Sequence, residues 1–428
     1  MYPNIIMKKI DIYFYNRNAP DESMSLIETK HDSVKVNIYM INTDGQFSTY
    51  NLVKELKKLK SIIGLYNDLK RINIIFEKDL NESIIFTVVT KLHDILYSYL
   101  NRKEQEIKLY NVTDKVQEMM KVLTSYKDIV MDPNKTSTSY LEWVRKNVPS
   151  NYNIEIMSEG FPLVEAVGRG SQHPYYFVFI SPKEVDENKT DIYMVGKAIT
   201  YDTGGLNVKT SHMHEMKTDM TGSAIVLSVL NLLNTVSTNN IFLLLPIVEN
   251  MIGPAATKPG TVVQTRLGKT VEIIDTDAEG RLCIADCMEY IEKILRNNKR
   301  REISLILDIA TLTGNATRIT YTISSISMSN KIGVNYNSSI VKIGNKIGEY
   351  VDYLQLRKEY DDYMQSNVAD LKNHCDENKA GCMMGGAFIN YFVNKNTPWV
   401  HLDVAGVTYI KEMPTSYGIN LLYQFLKK

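Results

Sequence analysis

The chain has 428 residues, 44% of them hydrophobic and 23% charged, an ordinary globular composition at a length that suits two domains. Its 49 acidic residues balance 49 basic ones, so net charge makes no case for nucleic acid or a membrane surface as the main partner. No apolar run reaches the length of a membrane span, and the start, MYPNIIMKKIDIYFY, lacks the apolar stretch and small-residue cleavage site of a secretory signal.

The first elements in chain order predict a small α/β domain over residues 1–130. Ile10, Ile12 and Phe14 alternate with polar or amphipathic neighbours, as do Val34, Val36, Ile38 and Met40, and both runs read as half-buried strands. Leu52, Val53, Leu56, Leu59 and Ile63 mark an amphipathic helix with its lysines toward solvent. A strand is expected around Ile72 to Phe76, and a second helix through Val88, Val89, Leu92, Ile95, Leu96 and Leu100. This part carries no recognisable chemistry. Charge runs follow from about residue 101, Met131-Asp132-Pro133-Asn134 marks a break, and a short helix is expected through Leu141 and Val144. Residues 131–153 read as a linker.

From residue 154 to 428 the texture changes to alternating apolar strands and helices. Tyr176 to Ile180, Ile192 to Val195, Ile241 to Leu245, Val271 to Ile274, Ile303 to Leu307 and Trp399 to Val404 read as buried strands. Helical runs lie between several of them, among them Gly222 to Leu233 and Leu282 to Leu295. This alternation predicts a second domain with a largely parallel central sheet flanked by helices. Ligands bind such sheets beyond the carboxyl ends of the strands. Lys197 and Asp202 follow Val195, Asp277 and Glu279 follow Ile274, Thr311 and Gly314 follow Leu307, and Ala405-Gly406 follows Val404. Four loops furnished in this way are expected to meet at one site.

The stretch DTDAEGRL, residues 275–282, places three carboxylates in five residues ahead of Gly280 and Arg281. Such carboxylates repel one another unless a cation neutralises them. A calcium loop of the EF-hand type half fits, but its closing position would be Asp286 and a strand stands where a helix is needed. A solvated acidic turn is the bland alternative. The segment 195–222, VGKAITYDTGGLNVKTSHMHEMKTDMTG, supplies Lys197, Asp202, Lys209 and Asp219. It is no phosphate loop, since its Gly-Lys pair lacks the GxxxxGK spacing. Gly204-Gly205 is expected to turn the backbone tightly and bring Lys209 back toward the strand end. His212 and His214 read as loop residues. Cys283, Cys287, Cys375 and Cys382 form no CxxC pair and read as reduced, structural thiols.

DTDAEGRL and VGKAITYDTGGLNVK closely resemble the signatures of the leucyl aminopeptidases of peptidase family M17, cytosolic two-metal exopeptidases. Gly168-Arg169-Gly170-Ser171, Asp308 to Gly314 (DIATLTG) and Trp399 to Gly406 (WVHLDVAG) extend the resemblance, which covers roughly residues 160–428. It implies a metal-dependent hydrolase that releases N-terminal amino acids from peptides with a free N-terminus. It implies five ligands for two divalent ions (zinc, manganese, cobalt or magnesium): Lys197, Asp202, Asp219, Asp277 and Glu279. Lys209 would stabilise the oxyanion and Arg281 would hold bicarbonate. Met216, Thr311, Gly314, Ala405 and Thr408 would line the pocket for the first side chain. A cytoplasmic homohexamer of two trimers is also implied.

The competing readings make Lys197 a plain salt bridge to the carboxylates, Lys209 a surface lysine, and Arg281 a helix-start arginine paired with Asp286. For each pocket residue the competing reading is core packing. Among functions, the rivals are a dipeptidase-like Cys-Gly specialist on the same site, a DNA-binding regulator, and a catalytically dead homologue. The sequence departs from the family where Asp275 replaces the usual Asn, Ala198 the usual Gly and Asn315 a small residue, and MDPNK at 131–135 matches only in part. Asp275 would add charge beside the metals if it points inward, or bond a neighbouring backbone amide if it points away.

Overall fold

A computed structural model describes residues 9–15, 25–30, 33–39, 49–64, 71–78, 80–100, 106–234, 237–297, 303–375 and 379–427. The chain divides into two compact units, Met1–Ser125 with Lys346–Gly348 and Tyr126–Asn345 with Glu349–Lys428.

The first unit holds a five-stranded sheet in the order Ser25–Lys30, Ser33–Tyr39, Lys9–Tyr15, Arg71–Phe76, Glu106–Tyr110. Its first pair is antiparallel and the other three are parallel. The alternation in Lys9–Tyr15 buries Ile10, Ile12 and Phe14 completely, as period-two patterning requires. Helix Thr49–Gly64 buries Leu52, Leu56, Leu59 and Ile63 at helical spacing and packs on helix Glu82–Leu100. Two short strands escaped the sequence reading. SLIETK and EIKLY each carry only two aliphatic residues, too few to register as a pattern. Where the sequence shows charge runs, an 18-residue helix spans Asp114–Met131.

The second unit is built on a nine-stranded sheet. Its path runs Tyr350–Tyr353, Ser324–Ser329, Trp399–Asp403, Ile303–Ala310, Asp191–Gly196, Asn240–Asn250, Tyr176–Pro182, Tyr152–Met157, with Ala198–Asp202 paired off Asn240–Asn250. The central pairings are parallel, and antiparallel pairs enter on both flanks. The fold is therefore α/β with a largely parallel centre. Helix Thr221–Leu233 is buried nearly all round and packs on Asp191–Gly196. That explains its almost uninterrupted apolar sequence. Helix Gly280–Asn297 buries Leu282, Cys283, Ile284, Ala285, Cys287, Met288 and Ile291 in the main core.

One expected strand lies elsewhere. Thr270–Ile273 joins a separate three-stranded sheet, antiparallel to Thr261–Gln264 and parallel to Leu371–Lys372. The cause is local. The turn at Thr265 to Lys269, with Gly268 at φ +91°, folds this strand onto its sequence neighbour. All four cysteines are buried, and none forms a disulfide among the described residues. Among the described residues no helix is long and apolar enough to cross a membrane.

Candidate active site

The site begins at a break in a strand. Asp191–Gly196 and Ala198–Asp202 both run parallel to Asn240–Asn250, and Lys197 is the residue between them. Its amide donates to Ile309 O at 3.0 Å, and its carbonyl accepts from Ser223 at 2.9 Å. Its Nζ lies 2.8 Å from Asp219 Oδ2, 2.8 Å from Glu279 Oε1 and 2.9 Å from the Thr311 carbonyl. Only 2% of Lys197 is exposed. Gly280 permits this approach, because a Cβ there would stand 2.7 Å from Lys197 Cε and 2.8 Å from Nζ.

Asp202 closes the second strand segment. Its Oδ1 accepts from Gly204 N at 2.9 Å and Asn250 Nδ2 at 2.7 Å, and its Oδ2 lies 2.7 Å from Lys209 Nζ. Gly204 and Gly205 adopt φ of +87° and +61°, the left-handed region that favours glycine. The turn they make lets Lys209 N donate to Thr203 O at 2.9 Å and brings the Lys209 ammonium onto Asp202 and Asp277. Asp219 sits between the 3₁₀ helix Met213–Thr218 and helix Thr221–Leu233, and its Oδ1 accepts from Thr311 Oγ1 at 2.8 Å. Asp202, Asp219 and Glu279 each offer a carboxylate oxygen within 4.8 Å of the others. Asp277 joins them through Lys209.

Four carboxylates here face two ammoniums. Burial pulls the Lys197 and Lys209 amines down, yet the surrounding carboxylates outweigh it and hold both above their ordinary range. Burial, with the charge of Glu279, pushes Asp202 up, and burial lifts Asp219 well above the carboxylate range against the pull of Lys197. Burial and the neighbouring Asp202 and Glu279 raise Asp277 to about 7. For Glu279 burial acts upward, but Lys197 and Lys209 bring the carboxylate below its usual value. Glu279 Oε2 is buried and accepts no hydrogen bond. A buried set of hard oxygen donors, one of them vacant and the whole short of positive charge, fits divalent cations.

Arg281 stands in the first turn of helix Gly280–Asn297, and only 4% of it is exposed. Its Nη1 donates to Asn373 O at 2.8 Å, and its Nε is buried without a hydrogen bond. Burial pulls this guanidinium's pKa down against the charges of Glu279 and Asp275. It does not pair with Asp286, whose Oδ2 instead accepts from the amides of Leu163 and Val164 at 2.9 and 2.8 Å. Asp275 bonds a neighbouring backbone amide: its Oδ1 accepts from Asp277 N at 2.9 Å.

The expected pocket residues fall differently. Thr311 is part of the cluster through its bonds to Asp219 and Lys197. Met216 is half-buried, and its carbonyl accepts from Asp219 N at 3.2 Å. Gly314 faces open space. Ala405 is half-buried, with its amide on Asp403 Oδ1 at 3.2 Å. Thr408 is buried, and its hydroxyl donates to Val404 O at 3.0 Å. His212 and His214 are surface residues with side chains 70% and 71% exposed.

Uncharged residues that the sequence reading passed over tie these loops together. Asn250 Nδ2 donates both to Asp202 Oδ1 and to Thr276 O, at 2.7 and 3.0 Å. Thr276 and Asn207 bond reciprocally, Asn207 N to Thr276 Oγ1 at 2.9 Å and Thr276 N to Asn207 Oδ1 at 3.0 Å. Asn373 grips the acidic loop from the other side.

The parallel sheet and the carboxylate–lysine cluster beyond its carboxyl edge define an α/β protein organised around a buried polar cluster. A profile described as the catalytic domain of the cytosol aminopeptidase family, Peptidase M17, matches residues 122–423. The chain is 30% identical over 414 residues to a probable cytosol aminopeptidase of Vesicomyosocius okutanii subsp. Calyptogena okutanii, covering 90% of this chain and 84% of that one. It is 34% identical over 296 residues to a probable cytosol aminopeptidase of Syntrophobacter fumaroxidans, covering 66% of this chain and 56% of that one. Its fold is similar to that of a leucine aminopeptidase of Caenorhabditis elegans, with a TM-score of 0.84 at 23% identity, covering 98% of this chain and 95% of that one. The chain belongs to the cytosol aminopeptidase family, peptidase family M17.

Proposed function

We propose that the chain is a metal-dependent exopeptidase that releases N-terminal amino acids from peptides at a two-metal site. The observation that carries this reading is the buried cluster of Asp202, Asp219 and Glu279, with Glu279 Oε2 left without a hydrogen bond. Asp202, Asp219, Asp277 and Glu279 would hold two divalent cations through oxygen, and Lys197 would join them as a neutral amine. That role requires Lys197 to lose the proton which its carboxylate neighbours otherwise retain. When bound, the cations supply Lewis acidity that activates water and polarises the scissile carbonyl.

The chain's other residues do the rest. Lys209 offers an ammonium donor to the oxyanion that develops on the substrate carbonyl. Arg281 holds an anion at a helix start, with bicarbonate as the candidate to take the proton from the attacking water. Met216, Thr311, Gly314, Ala405 and Thr408 surround the substrate's first side chain, and Gly314 leaves the room for it. The enzyme works in the cytoplasm as a homohexamer. Hydrolysis of an aminoacyl amide, assayed before and after chelation, tests the reading. Activity is expected to vanish with the metal and return when manganese or zinc is restored. Full activity with metal content verified as nil overturns the proposal.

A further inference from the structure

We infer that Asn373 is a positioning residue, the clip that holds the loop bearing Asp277 and Glu279 and fixes Arg281. The inference rests on the function proposed above. Asn373 follows the short strand Leu371–Lys372, whose parallel pairing with Val271 and Glu272 ends just before it. Its amide continues the ladder by one bond, to Glu272 O at 3.0 Å. Beyond that point the acidic loop curls away, and the Asn373 side chain takes over the pairing. Oδ1 accepts from the amides of Ile274 and Asp275 at 2.9 and 3.2 Å, and Nδ2 donates to the carbonyls of Asp275 and Ala278 at 2.6 and 3.2 Å. The side chain thus uses two acceptor bonds and both donor hydrogens, and the residue is fully buried.

The four backbone groups it satisfies lie between residues 274 and 278, and Glu279 follows directly. Asp277 is held within the same span by its amide bond to Asp275 Oδ1. The Asn373 carbonyl accepts from Arg281 Nη1 at 2.8 Å, so one residue sets both the carboxylate loop and the guanidinium. No other side-chain chemistry serves as well. An aspartate in its place would turn a repelling oxygen toward two carbonyls, and an alanine would take this partner from the Ile274 and Asp275 amides and the Ala278 carbonyl.

The test compares Asn373→Ala with Asn240→Ala in the full chain. Asn240 is a buried asparagine at the opposite end of strand Asn240–Asn250, and it likewise bonds Asp186 N, Asp186 O and Asp191 Oδ1, at 3.1, 2.9 and 2.8 Å. Loss of either side chain weakens the fold, but only Asn373 touches the acidic loop. In the chelated chain, hydrogen exchange of the amides 274–278 is expected to speed up at least about tenfold in Asn373→Ala and to stay unchanged in Asn240→Ala. Titration with Mn²⁺ alone is expected to show affinity lowered about 10–100-fold in Asn373→Ala, with no loss in Asn240→Ala.

Equal exchange in the two variants, or Mn²⁺ affinity in Asn373→Ala matching Asn240→Ala, overturns the inference. If the unmutated chain itself fails to take up Mn²⁺, the two-metal reading falls and takes this inference with it. If Asn373→Ala yields no soluble chain, the isosteric Asn373→Asp carries the same two measurements and the same expected outcomes.

Discussion

Gly280→Ala is the smallest change that should disable the site. A Cβ at this position would stand 2.7, 2.8 and 2.9 Å from Cε, Nζ and Cδ of Lys197, whereas carbon contacts settle near 3.5–4.0 Å. Lys197 must therefore retreat by about 0.8 Å or more. It has no slack to do so, since its Nζ bonds to Asp219, Glu279 and Thr311 at 2.8, 2.8 and 2.9 Å draw it into the cluster. Overpacking of this kind costs about 1–3 kcal/mol, offset by up to about 1 kcal/mol from replacing glycine in a helix. The fold is thus expected to lose no more than a few degrees of melting temperature.

Catalysis is more sensitive, because a misplacement of about 1 Å in a reacting constellation costs on the order of 100-fold. The expected signature is a chain that folds, melts close to the unmutated protein, and loses about two orders of magnitude in kcat/KM on an aminoacyl amide. Elemental analysis should find its metal content reduced. Unchanged kcat/KM together with full metal content would refute the reasoning and remove Lys197 from the ligand set.

Glu279→Ala should lose metal as well as rate, whereas Lys209→Ala should keep its metal and lose about 10²–10³-fold in kcat; metal loss in the second variant and none in the first would reverse these roles. Asp275→Asn keeps an oxygen for the Asp277 amide, so Mn²⁺ affinity should change less than about threefold, and a tenfold shift by calorimetry would show that the lost charge matters. Burial pushes Asp286 up to about 8. Because this value lies above the unfolded carboxylate's, the group's contribution to stability is complete in acid and declines as pH rises toward 8. Melting of Asp286→Asn in the chelated chain should therefore depend less on pH between about 4 and 8, and parallel curves for the two forms would contradict the shift.

The sequence disclosed those parts of this protein that depend on pattern. Runs such as Ile303 to Leu307 are buried on both faces and read as central strands without a structure. Lys197, Asp202, Asp277 and Glu279 stood out because charges at the ends of apolar runs need a reason. Ser324–Ser329 did not stand out. SSISMS is wholly buried, yet four serines in six residues leave it no apolar run. Two of its serines find partners distant in sequence, Ser325 in Tyr417 at 2.7 Å and Ser324 in Asp352 at 2.5 Å. Ala198–Asp202 was hidden for another reason: Lys197 interrupts the apolar run, and nothing local says that the chain resumes its pairing on the far side.

The uncharged clips were hidden more deeply, although accounting for backbone groups points toward them. A loop at the end of a sheet has left its ladder, so its amides and carbonyls need partners from elsewhere if it is buried. Around the acidic loop those partners are Asn373, Asn250 and Asn207, and the loop's own Thr276 donates in turn to Gly204 O. Charged clips would serve less well, since an arginine or lysine there would neutralise the carboxylates that the site needs for cations and an aspartate would add to their repulsion. Amides and hydroxyls alone supply donors and acceptors without disturbing that balance. A buried, irregular loop dense in carboxylates therefore implies neutral polar side chains brought to it from other elements. The sequence holds the loop in plain view but leaves open which of its many asparagines will arrive.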